Sequence, residues 1–184
     1  MRSIIGIAGA PGVGKSTFAT RLCGERGGVH LPMDGFHLAD TTLRRLGLLD
    51  RKGAPDTFDA WGFAALLARL RAQPPEVVYA PGFERDLEQP IAGAVAVPPA
   101  AELVVTEGNY LLLDRPEWRA VRAELDEVWF LRGDEEERRS RLVARHIGFG
   151  KSPDEAERWV SRVDDANAAL VAATAPLADR IVTV

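Results

Sequence analysis

Residues Gly9-Ala10-Pro11-Gly12-Val13-Gly14-Lys15-Ser16 match the pattern G-x-x-x-x-G-K-[ST] at every fixed position. The residue types suit a phosphate cradle. Glycines let backbone N–H groups turn inward and approach an anion. Lys15 can reach the β- and γ-phosphates of a nucleotide, and the Ser16 hydroxyl can ligate Mg²⁺. Thr17 places a second hydroxyl beside the loop.

Phosphoryl transfer to an alcohol also needs a group that orients the hydroxyl and takes its proton. Asp34, inside Pro32-Met33-Asp34-Gly35-Phe36-His37-Leu38, is the candidate base. Phe36 could pack on an apolar part of the acceptor, and His37 belongs to the same run. Glu107 is a second carboxylate. A third group of charges is basic: Arg138, Arg139, Arg141, Arg145, His146 and Lys151. Arg138, Arg141 and Arg145 are spaced three and four apart, so they share one helix face.

These groups are far apart in sequence, so secondary structure must converge them. Ser3 to Ala8, Val29 to Met33, Leu103 to Thr106, Val128 to Leu131 and Arg180 to Val184 read as strands. Helices are expected from Lys15 to about Cys23, over 38–47 and 59–72, and from an Asp134 cap to about Ile147. Ser152-Pro153-Asp154-Glu155 restarts a helix by the capping-box pattern. Glu76 to Ala80 and Ala94 to Val97 are short strands around a loop or small hairpin. Alternating strands and helices imply an α/β fold, a parallel sheet with helices on both faces. Ligands of such a sheet bind at the carboxyl ends of its strands. The phosphate loop, Asp34 and Glu107 all follow expected strands, so they should meet on one edge.

The ordered motifs resemble the P-loop kinases that include uridine kinase, phosphoribulokinase and bacterial pantothenate kinase. The marks are the loop at 9–16, Asp34-Gly35-Phe36, Pro55-Asp56-Thr57-Phe58-Asp59, Glu107-Gly108-Asn109-Tyr110 and the arginines before Gly148. The resemblance implies a P-loop NTPase fold in one domain over 1–184, with a helical lid at about 138–155. It implies ATP and Mg²⁺, with Asp34 as base and Glu107 near Mg²⁺ or the acceptor. Arg141 and Arg145 would neutralise the transferring group. Asp56, Phe83, Arg85, Asp86 and Asn167 would serve the acceptor. Lys52 and Arg85 together would suit an acceptor bearing a carboxylate or phosphate. The chain departs from uridine kinases where Lys52-Gly53 precede Ala54-Pro55-Asp56, because the acidic group that holds a ribose hydroxyl is missing. The acceptor stays open between a nucleoside, a pantothenate-like acid and a sugar.

Bulk properties narrow the alternatives. Net charge is −4, which argues against a general nucleic-acid binder. No apolar run approaches the length of a membrane span. One cysteine, Cys23, and no signal-peptide pattern lead to the expectation of a reducing, cytoplasmic setting. No Asn-Lys-x-Asp segment is available to read guanine. A nucleotide-hydrolysing regulatory or chaperone switch is the competing class, and Asp34 with the arginine cluster disfavours it. A homodimer is compatible with the chain's size, but no residue requires one.

Overall fold

The computed structural model describes residues 2–184. Strands β1 (Ser3–Gly9), β2 (Val29–Pro32), β5 (Leu103–Gly108), β6 (Glu127–Arg132) and β7 (Arg180–Thr183) form one parallel sheet in the order β2-β5-β1-β6-β7. The remaining strands, β3 (Val78–Glu84) and β4 (Gln89–Val97), make a separate antiparallel hairpin. This hairpin is longer than expected, because pairing runs on past Pro81-Gly82 with a register shift between Ala80 and Gly82.

The period-2 alternation of β1 explains the two-sided core. Ile4 and Ala8 face one layer, with Val104, Val128 and Phe130. That layer is closed by helices α3 (Ala60–Arg71), α4 (Pro116–Ala123) and α7 (Asp165–Ala172), which contribute Phe63, Leu67, Trp118, Val121 and Val171. Ile5 and Ile7 face the other layer, where α1 (Lys15–Arg26) supplies Ala19, Leu22 and Cys23. Helix α4 was not expected from sequence. Its signals are Pro116 at the first helical turn and Trp118 and Val121, three apart, buried on one face.

Helix α2 (Asp40–Leu46) starts two residues later than the sequence suggested. Strand β2 stops at Pro32, and Met33–Phe36 form a 3₁₀ turn in which His37 N–H donates to the Asp34 carbonyl at 3.2 Å. Helices α5 (Glu135–Gly148) and α6 (Pro153–Trp159) pack as a pair, and α5 lies against the phosphate loop. Both predicted caps form: Asp134 accepts from Glu137 N–H, and Ser152 and Glu155 complete a capping box. Between α6 and α7 the helix widens into a π turn over Val160–Asp164. No helix among the described residues is long and apolar enough to cross a membrane.

Gly35 locks the hairpin to the sheet. A Cβ there would lie 2.3 Å from the Pro81 carbonyl oxygen, a backbone atom that cannot rotate away. We expect Gly35→Ala to lower stability by about 1–3 kcal/mol, the usual range for overpacking, measured by urea unfolding. An unchanged midpoint would show that the hairpin is not seated on the 3₁₀ turn.

Candidate active site

Parallel register sets the site's frame. Glu107 pairs across with Pro32 on one side and Ile7 on the other, so the ends of β2, β5 and β1 come level. The phosphate loop leaves β1, and Asp34 lies two residues beyond Pro32. A cavity of about 490 Å³ opens here. Its lining includes Pro11 to Thr17, Asp34, Arg85, Glu107, Arg141 and Arg145.

Loop geometry follows from the glycines and from α5. Gly12 sits at φ +82°, and a Cβ there would meet Leu142 Cγ at 2.8 Å and the Arg138 carbonyl at 3.0 Å. The first turns of α5 therefore rest directly on the loop. Gly9 and Ala10 form the loop's base, and the Ala10 carbonyl accepts from Lys15 Nζ at 3.0 Å. Lys15 also donates to Asn109 Oδ1 at 2.6 Å. It is 8% exposed, and burial lowers its pKa to about 8 against the opposing pull of Glu107 and Asp34. A polyanion beside Lys15 would offset that desolvation.

Ser16 Oγ donates to Glu107 Oε1 at 2.9 Å, so the two candidate Mg²⁺ ligands lie in contact. A hydroxyl and one carboxylate suit a cation that keeps several waters and binds phosphate oxygens as well. The residues fit Mg²⁺ in that manner. No cluster of three or more His, Cys, Asp or Glu that could cage a metal by itself occurs among the described residues. His30 Nε2 lies 3.6 Å from Glu107 Oε1 and is buried with no hydrogen-bond partner.

Asp34 Oδ2 accepts from Arg85 Nη2 at 3.0 Å. The hairpin thus delivers a guanidinium to the candidate base. Arg145 faces the same cavity, where burial and the charge of Arg85 push its pKa down. Arg141 lines the cavity while paired with Glu137, one helical turn earlier.

Packing places several of the expected acceptor-side residues away from the cavity. Phe36 is 9% exposed and stacks on Phe63 with ring centroids 4.7 Å apart, so it belongs to the core. His37 is wedged between Phe58 and Phe83, at 4.0 and 5.0 Å, with Nδ1 3.0 Å from the Asp34 carbonyl. Burial lowers its pKa, and it buttresses the Asp34 turn without lining the cavity. Lys52 is held by Asp40 at 2.7 Å and by the Glu88 carbonyl. Asp56 is exposed and pairs with Arg51 at 2.8 Å. Asp86 is exposed at the hairpin turn, where its N–H donates to Glu84. Asn167 is buried and donates to the Gly53 carbonyl at 3.4 Å, which Tyr110 also reaches. Phe83 stands behind Arg85 as a packing surface. None of these seven lines the cavity.

Other contributors escaped the sequence reading. Asn109, Gly108, Phe18, Arg21 and Val184 line the cavity. Asn109 directly follows the Glu107-Gly108 pair, and Phe18 and Arg21 lie on the first turns of the helix after the loop; those positions were the available signal. His30 gave no signal beyond its strand. Arg138 is buried, not solvated: it donates to Glu135, to Asp165 at 2.7 Å and to the Pro11 carbonyl at 3.2 Å.

Comparison with known proteins agrees with this geometry. No family model matches the chain. It is 39% identical over 133 residues to an ATP-dependent kinase-like protein of Aspergillus versicolor, covering 67% of this chain and 76% of that one. It is 33% identical over 174 residues to a protein of Schizosaccharomyces pombe provisionally named a uridine kinase, covering 89% of this chain and 74% of that one. A crystal structure from Silicibacter, provisionally described as a fructose transport system kinase, superposes with a TM-score of 0.89 at 39% identity, over 98% of this chain and 89% of that one. With this likeness along most of its length, and with a phosphate loop and two carboxylates gathered at one sheet edge, the chain belongs to the P-loop kinase family, akin to uridine and pantothenate kinases.

Proposed function

We propose that this kinase moves the γ-phosphoryl of ATP onto a hydroxyl of a small metabolite, with Asp34 as the proton acceptor. The observation that carries the reading is that Asp34 and Lys15 line one cavity, which Arg145 also enters. A nucleotide switch that only hydrolyses ATP has no need of a carboxylate to take a proton from a second substrate.

Each residue has a part in that chemistry. The phosphate loop's N–H groups and Lys15 hold the β- and γ-phosphates. Asp34 orients the acceptor hydroxyl and takes its proton. Arg145 and Arg141 offset charge that spreads over the transferring group. Ser16 and Glu107 would hold Mg²⁺, which would supply positive charge against that of the phosphates. Helix α5, which rests on the phosphate loop, would help keep out water, whose attack on ATP competes with transfer. The provisional names of the relatives point to a nucleoside or a sugar as acceptor, and the family resemblance adds a pantothenate-like acid.

An ATP-consumption screen with Mg²⁺ against nucleosides, pantothenate and common sugars tests the reading. Turnover with one acceptor is expected, and Asp34→Asn should lower kcat by about 10²–10⁴-fold while ATP still binds. Hydrolysis indifferent both to every acceptor and to Asp34→Asn would favour the switch class instead. Lys15→Ala tests the nucleotide site separately. At a hundredfold excess over Kd, ATP should stabilise the parent protein by about 2.7 kcal/mol in thermal or urea unfolding. The variant should lose most of that gain, and full retention would place the nucleotide elsewhere.

A further inference from the structure

Lys52 and Arg85 both lie against the Phe83 ring, at 5.7 and 5.4 Å from its centroid. They differ in what else they touch. Lys52 is bonded to Asp40 and to the Glu88 carbonyl, and it does not line the cavity. Its charge is answered within the fold. Arg85 is half-exposed and lines the cavity. Among the described residues it makes one hydrogen bond, from Nη2 to Asp34 Oδ2. A guanidinium carries five N–H donors in a rigid fork, so most of its capacity faces open space beside the base.

Charge across the cavity points the same way. Lys15, Arg141 and Arg145 stand on the phosphate-loop and α5 side, where a nucleotide's phosphates would engage them. Arg85 enters from the hairpin, on the acceptor side. The acids that line the cavity are Asp34 and Glu107, and Glu107 is engaged by Ser16. One unfilled cationic fork thus adjoins the group that must meet the reacting hydroxyl.

We propose that the acceptor carries a carboxylate or phosphate close to its reacting hydroxyl, and that the Arg85 fork binds it. The proposal rests on the kinase reading and names its substrate class. Arg85 takes the anion bidentately while Asp34 meets the hydroxyl. The hydroxyl proton passes to Asp34 as the new oxygen–phosphorus bond forms. The bond between the γ-phosphorus and its bridging oxygen breaks, and ADP leaves with that electron pair. Asp34 then returns the proton to solvent.

Matched acceptors that differ by the anionic group test this. The panel is glycerol, glycerate and glycerol phosphate; panthenol and pantothenate; fructose and fructose 6-phosphate; ribose and ribose 5-phosphate. Phosphorylated product is measured by mass for the parent protein, Arg85→Ala and Arg85→Lys. Because Arg85 is half-exposed, Arg85→Ala should keep its unfolding midpoint. In any set turned over, the anionic member should be favoured in kcat/KM on the order of tenfold or more. Arg85→Ala should erase that preference mainly through KM, and Arg85→Lys should keep part of it. Whether carboxylates or phosphates are used identifies the group. Equal or better use of neutral members, or a preference that survives Arg85→Ala, overturns the proposal and leaves the kinase reading intact. Absence of phosphorylated product from every member also overturns it. If ATP hydrolysis is then indifferent to Asp34→Ala as well, the kinase reading falls with it.

Discussion

The parallel register of β2, β5 and β1 is the constraint on which the site depends. It brings Pro32, Glu107 and Ile7 level, so three chain segments leave the sheet at one edge. A slip of one residue would turn every side chain of a strand to the opposite layer. The β1 alternation blocks such a slip, because Ile4 and Ala8 serve one core while Ile5 and Ile7 serve the other. Hydrophobic burial therefore fixes the relative heights of the phosphate loop, Asp34 and Glu107, and the Ser16–Glu107 hydrogen bond forms within that frame.

The site adds charged groups to that frame at some cost in burial. Lys15 is nearly removed from water, and its ammonium is compensated by Asn109, the Ala10 carbonyl and the field of Glu107 and Asp34. Groups held this way need little rearrangement when a polyanion arrives, which is the electrostatic preorganisation that phosphoryl transfer uses. Arg138 extends the same logic into the scaffold. It is 2% exposed and ties the Pro11 carbonyl to Asp165. The π turn before α7 puts successive carboxylates to use: Asp164 meets His146, and Asp165 meets Arg138 and Arg139. One extra residue in a helical turn commonly marks such a functional adjustment. Here it links the floor of the phosphate loop to the helices above it.

The hairpin governs the part of the cavity beside Asp34. The absence of a side chain at Gly35 lets Pro81 approach the Asp34 turn, and His37 fills the space between Phe58 and Phe83. Arg85 reaches Asp34 only because those apolar contacts set the hairpin's position. The placement of Arg85 beside Asp34 thus rests on aromatic packing one layer behind the cavity.

The sequence by itself determined the strand–helix alternation, the phosphate loop, the caps at Asp134 and Ser152, and the meeting of Lys15, Asp34 and Glu107. Those depend on local dihedral preferences, capping chemistry and the rule that parallel strands present their carboxyl ends together. Tertiary structure alone decided which acceptor-side residues face the cavity. Phe36, His37, Lys52 and Asn167 have residue types that suit a ligand, yet each is engaged by a neighbour from a distant segment: Phe63, the Phe58–Phe83 pair, Asp40 and Gly53. Asn109 meets Lys15 from within the Glu107-Gly108-Asn109-Tyr110 run, whereas His30 comes near Glu107 from a strand position that carries no motif. Residue type records what a side chain can bond. Which partner it meets is set by packing between elements far apart in the chain, and no local pattern encodes that.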